Sequence, residues 1–244
     1  MKTRGTLDLN AVFVLSVVIC GAIGVWGVLA PDAMTGAAAA LTGFALTTLD
    51  WFFLTLTTSF VVLAAVLALG PYGSIKLGHD DDEPEFSTAS WIAMLFAGGM
   101  GAGLLFWGPA EPMYHFTAPP GLQGGTPEAA RLAMVITNLH WGLHAWSIYA
   151  VCALVIAYFI FRRDRPGMIS TPIRYAFRGR LIGPLATAAD VLGVVAVILG
   201  LAGSLALGTL QVRAGLGEVF GVPATTSVSI AIVCVLAVCF FTSA

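Results

Sequence analysis

Six uninterrupted apolar runs decide what this chain can fold into. They cover residues 11–30, 49–69, 90–107, 131–161, 182–212 and 224–241. Each is close to, or longer than, the ~20 residues that carry a helix across a bilayer's hydrocarbon core. Lipid offers no hydrogen bonds, so a spanning backbone must satisfy its own N–H and C=O groups. Helices do this within one segment. Composition agrees: 58% of residues are hydrophobic and only 10% charged, with a mean hydropathy of +0.92. No water-soluble domain of 244 residues keeps so little polar surface. The expected class is therefore an all-α polytopic membrane protein embedded in a lipid bilayer. The formal charge of −2 leaves no basic footprint, so no nucleic-acid partner is expected.

The first run follows Lys2 and Arg4 and so resembles a signal peptide. Its apolar core exceeds the usual ~7–15 residues and no small-x-small cleavage site follows, which predicts a retained helix. Lys2, Arg4, Lys76, Arg162, Arg163, Arg165, Arg174, Arg178 and Arg180 fall on one side of the membrane. Of the eleven cationic residues, only Arg131 and Arg213 fall on the other. The positive-inside rule then predicts a cytoplasmic N-terminus in a plasma (inner) membrane. The acidic run "HDDDEPEF" (79–86) is expected to be a solvated loop on the same side. Cys20, Cys152, Cys234 and Cys239 all lie in apolar runs and read as small buried hydrophobes, neither disulfides nor metal ligands.

Two stretches resist a reading as plain membrane helix. In "FAGGMGAGLLFWGPAEP" (96–112), Gly98, Gly99, Gly101 and Gly103 crowd the middle of the third run. Each costs a helix interior about 1 kcal/mol relative to alanine. Gly99 and Gly103 alone would serve as a small-xxx-small packing pair. The density of the remaining glycines favours a broken helix, expected between residues 97 and 103. Such a break would expose backbone polar groups at ~15–20 Å depth. Pro112 is expected to end this span.

The second stretch is "HWGLHAWSIY" (140–149) in the fourth run. Trp26, Trp51, Trp91 and Trp107 sit near span ends, as interfacial tryptophans do. Trp141 and Trp146 instead lie ~15–22 Å deep. On a continuous helix they share a sector of roughly 140° with Tyr149. Core packing and a wall of an aromatic cage both fit this pattern. Ring faces attract cations without a carboxylate, and quaternary ammonium groups are their usual guests.

Other polar residues have plainer readings. His140 and His144 stand four apart but lack the adjacent glutamate of a zincin, which favours a structural role over a metal or haem. Asp190 is expected to complement a helix N-terminus or meet water rather than relay protons. Gly200, Ser204 and Gly208 form a small-residue ridge for helix contact.

The segments 75–116, 140–163 and 190–212 together resemble the betaine/choline/carnitine transporter family. That resemblance implies a LeuT-like fold of two inverted repeats behind two extra N-terminal helices. Residues 1–70 would be the extra helices and 71–244 an incomplete first repeat of four helices. The chain would then be the N-terminal half of a transporter, truncated after its sixth span. The implied function is ion-coupled uptake of a quaternary ammonium osmolyte of the glycine betaine, choline or carnitine type by alternating access, with no enzymatic activity. Trp141, Trp146 and Tyr149 match the aromatics that face the substrate's ammonium. Gly99, Met100, Gly101 and Gly103 match the unwound substrate-binding stretch. Ala97 and Met100 match positions whose backbone carbonyls help bind one sodium. Gly103 stands where choline-handling members can carry an aspartate, which points to a zwitterion.

Sodium-coupled members carry threonines where this sequence has Val197 and Leu201. Aliphatic side chains cannot ligate a hard cation. A second sodium site is therefore not expected, and coupling through one sodium, a proton or exchange stays open, with no other cofactor. The family resemblance also implies a homo-trimer. Two rivals remain at this point: a non-transporting six-helix remnant, and a haem or metal membrane protein ligated by His140 and His144.

Overall fold

The computed structural model describes residues 10–99 and 101–243, all in helices and connections. Ten α-helices follow in chain order: α1 Ala11–Leu29, α2 Pro31–Thr48, α3 Asp50–Leu69, α4 Thr88–Gly99, α5 Ala102–Thr117, α6 Pro127–Trp141, α7 Leu143–Ala157, α8 Ser170–Ala176, α9 Ile182–Phe220 and α10 Thr226–Ser243. A short 3₁₀ turn, Pro71–Ser74, follows α3, and a π turn, Tyr158–Arg162, extends α7.

Hydroxyl and amide side chains fix where several of these helices begin. Asn10 Oδ1 accepts from Phe13 N at 2.9 Å ahead of α1. Ser87 Oγ accepts from Ser90 N at 3.2 Å ahead of α4, and Thr126 Oγ1 from Ala129 N at 3.1 Å ahead of α6. A helix opens with N–H groups that have no intrahelical partner, and side-chain oxygens of this kind satisfy them.

Four helical segments are individually long and apolar enough to cross a membrane: Ala11–Leu29, Asp50–Leu69, Pro127–Arg162 and Ile182–Phe220. Counted as one broken span, the bent pair α4–α5 brings the number to five. These are the first five expected runs. The sixth is α10, a shorter apolar helix. Its 18 residues rise about 27 Å, just short of the ~30 Å core.

Packing groups the chain into two compact units, Met1–Glu83 with Asn138–Ile198, and Pro84–Thr137 with Leu199–Ala244. In the first unit α3 lies along α7. Few apolar side chains are buried. Among the described residues these are Ala129, Ala133, Val151, Phe159, Ala186 and Val191. Most Leu, Val, Ile and Phe point outward along the helices. Water would penalise such a surface, whereas lipid does not. The same inversion corrects the cysteine expectation. Cys152, Cys234 and Cys239 are exposed free thiols and Cys20 is half-buried.

Three further differences from the expected helices have physical reasons. The stretch 31–48 forms α2, although its Ala, Gly and Thr content keeps it out of the apolar runs. Pro31 opens it at the first helical position, where a missing N–H costs nothing. Second, α5 does not stop at Pro112 but carries both Pro109 and Pro112 and continues to Thr117. Membrane helices tolerate interior proline where neighbouring groups re-satisfy the freed carbonyls. Third, the fourth run is interrupted at Gly142.

Candidate functional site

The third span is broken where its glycines cluster. α4 ends at Gly99, α5 begins at Ala102, and the two parts bend by 59°. Met100 lies outside the described residues. Gly101 is extended, with φ −85° and ψ 171°, and its carbonyl accepts from Leu104 N and Leu105 N at 3.1 and 3.2 Å. A Cβ added at Gly98 or Gly101 would meet nothing within 4 Å, so close packing does not demand glycine there. Gly103 differs, since its added Cβ would sit 4.0 Å from Ser204 Oγ on α9. The ridge residue Ser204 therefore does face a small partner. Ala97 and Gly99 occupy the last turn of α4, whose final carbonyls have no intrahelical acceptor role left to fill. The amides of Ala102 and Gly103 open α5 in the complementary position.

A second break lies among the aromatics. α6 ends at Trp141 and α7 starts at Leu143, with Gly142 between them at φ −88° and ψ −144°. A Cβ at Gly142 would run into the backbone carbonyl oxygen of Asn138, one turn back. Glycine is required here by close approach. The sector drawn for a continuous helix therefore needs correction: Trp141 closes one helix, while Trp146 and Tyr149 belong to the next. The structure brings the Trp146 and Tyr149 rings together. Trp146 and Tyr149 lie 5.7 Å apart between centroids with planes tilted by 41°. The Trp146 indole N–H donates to the Trp141 carbonyl at 2.9 Å. Tyr149 is 70% exposed and Trp146 43%. α7 contains no Asp or Glu.

His144 points at α3. Its Nε2 lies 3.4 Å from Thr58 Oγ1. Its backbone carbonyl accepts the buried Ser147 hydroxyl at 2.8 Å.

The chain between α3 and α4 is tied to the end of α7. Arg162 Nη1 donates to the Gly78 carbonyl at 2.8 Å and to Asp80 Oδ1 at 2.6 Å. The Arg162 hydrogen bond and charge hold the Asp80 carboxyl below the usual carboxylate range. Lys76 Nζ donates to the carbonyls of Asp80 and Asp82. His79 Nε2 lies 3.4 Å from Asp164 Oδ2. The acidic run is thus exposed, as expected, and also clipped in place. Arg163 stacks over Tyr158 and Tyr175 at 5.2 and 5.8 Å from the ring centroids. Asp190 is buried, and its Oδ1 accepts from Ser170 N at 2.9 Å. It caps the neighbouring α8 and not its own helix. A cavity of about 680 Å³, lined in part by Arg165, Arg174, Tyr175 and Asp190, lies away from the aromatic pair.

Sequence reasoning missed one ionisable pair. Glu111 and His115 stand one turn apart on α5, with Oε1 and Nε2 3.5 Å apart and both side chains largely buried. The signal was available, because ionisable residues inside an apolar helix mark function by default. Pro112 drew attention to helix termination instead.

Comparison with known proteins identifies the source of this arrangement. The model of the betaine/carnitine/choline family of transporters matches residues 11–244. The chain belongs to that family. This betaine/carnitine/choline family chain is 39% identical over 237 residues to the glycine betaine transporter OpuD of Bacillus subtilis, covering 97% of this chain and 46% of OpuD. It is 40% identical over 245 residues to an ectoine/hydroxyectoine transporter of Virgibacillus pantothenticus, covering 98% of this chain and 48% of that protein. It is 35% identical over 242 residues to the betaine/ectoine transporter LcoP of Corynebacterium glutamicum, covering 96% and 38%. The chain thus spans about half the length, or less, of these curated relatives. The family and its relatives are transporters and not enzymes, which removes the enzyme reading of His140 and His144.

Proposed function

We propose that these residues are the first half of a secondary transporter that takes up a quaternary ammonium osmolyte, with glycine betaine as the leading substrate. Uptake proceeds by alternating access in the plasma membrane, with the N-terminus cytoplasmic. The observation that carries this reading is the Trp146–Tyr149 pair, its rings tilted against each other next to a helix break on a helix without a carboxylate. Such a pair offers ring faces to a trimethylammonium head, each worth about 0.5–2 kcal/mol once desolvated. Trp141 adds a third ring beside the break. The names of two relatives, a glycine betaine transporter and a betaine/ectoine transporter, support betaine as the substrate. Their lengths support the half-transporter reading.

The break around Gly101 supports the remaining roles. Carbonyls ending α4, including that of Ala97, suit a hard cation that wants oxygen. Amides opening α5, at Ala102 and Gly103, suit a carboxylate, because a helix N-terminus favours negative charge. We assign coupling to one sodium or a proton, since Val197 and Leu201 offer no oxygen for a further cation. Expression of the full-length protein in cells lacking osmolyte uptake tests the proposal. Radiolabelled glycine betaine should accumulate above the vector control, and unlabelled betaine should suppress it. Accumulation equal to the control contradicts the proposal.

A further inference from the structure

We infer that Gly142 and the indole N–H of Trp146 form a positioning device that turns Trp146 into a purely face-binding residue. The inference rests on the cage reading above and adds the means by which the ring is held. Trp141 is the last residue of α6, so its carbonyl lies beyond that helix's own ladder. The Trp146 indole takes this carbonyl at 2.9 Å, while the Trp146 backbone N–H bonds the Gly142 carbonyl at 3.3 Å. Side chain and main chain of one residue thus span both sides of the break. Glycine is needed at the break because the Asn138 carbonyl oxygen occupies the space a Cβ would need at Gly142. An indole has one donor and no acceptor. With that donor committed to backbone, Trp146 has only its π-face left for a guest, and the Tyr149 ring lies beside it, tilted by 41° with centroids 5.7 Å apart. A substrate carboxylate must therefore find its donors elsewhere. The device selects for the ammonium end alone, and Gly142 and Trp146 act as one positioning unit.

The test uses the full-length protein in proteoliposomes. Replacing Trp146 by β-(3-benzothienyl)alanine keeps the bicyclic face and deletes the N–H. The device predicts that KM for glycine betaine rises about five-fold, the worth of one ordinary hydrogen bond, with kcat unchanged. The inhibition constant of tetramethylammonium, which has no carboxylate, should rise by the same factor. A rise confined to glycine betaine would mean that the N–H binds the carboxylate, and would overturn the device, as would no rise for either ligand. Ultraviolet resonance Raman gives a second reading that does not depend on transport. The indole hydrogen-bond marker of Trp146, isolated by subtracting the Trp146→Phe spectrum, should report a bonded N–H with and without betaine. It should be lost in Gly142→Ala. A marker that changes only on adding betaine, or that survives in Gly142→Ala, overturns the proposal. Trp146→Leu separates the two readings. An unchanged KM refutes the cage reading and with it the face-binding role of Trp146, whereas a raised KM together with an unbonded Raman marker refutes the device alone.

Discussion

Asp80 shows how a single exposed carboxylate is recruited to hold a loop. Its Oδ1 receives the Arg162 guanidinium at 2.6 Å, and that bond depresses its pKa. A depressed carboxylate contributes to docking fully above its unfolded pKa, ~3.9, and loses that contribution as pH falls through the lower folded value. The clip should therefore be intact at neutral pH and released only in strong acid. Limited proteolysis of the 75–87 loop against pH checks this. Asp80→Asn should expose the loop at neutral pH and remove part of the acid-induced rise. Equal cleavage of variant and wild type at neutral pH would show that the ion pair holds nothing. Asp190 works differently, because it is buried and serves a backbone amide, Ser170 N. The sequence suggested a helix-terminus role for Asp190, but which helix it caps depends on the approach of α8.

The two broken spans illustrate what a sequence can and cannot disclose about a helix. The α4–α5 break was legible because four glycines within six residues exceed any packing requirement, and Gly98 and Gly101 indeed face open space. The break at Gly142 was not legible. One glycine in a long apolar run is tolerated in most helices, and the reason this position needs glycine is the nearby Asn138 carbonyl, a contact visible only in three dimensions. Helix α2 escaped for a related reason, since alanine-rich helices carry little hydropathy signal. The distinction between the breaks gives a prediction. Gly98→Ala with Gly101→Ala meets no steric obstacle but restores about 1 kcal/mol of helix propensity per site. The double variant should fold and insert normally, gain thermal stability and lose transport turnover, as measured by detergent melting and betaine uptake. Wild-type uptake would show that unwinding at these glycines is not needed.

The outward-facing apolar surface, the four helices long and apolar enough to cross a membrane and the match over residues 11–244 together define a membrane-embedded chain of the transporter family. The proposed coupling rests on chemistry the chain lacks as much as on chemistry it has. Val197 and Leu201 are exposed aliphatic side chains on α9, so no cation should bind there. Sodium titration of uptake by the full-length protein should give a Hill slope near one or no sodium dependence, and a slope near two would contradict it. The account turns above all on the ring faces at the Gly142 break. Trp146→Leu retains bulk and apolarity while removing the ring quadrupole. Glycine betaine affinity of the full-length protein should fall about ten-fold, equivalent to ~1.4 kcal/mol, with membrane insertion unchanged. An affinity equal to that of the wild type would contradict the aromatic cage.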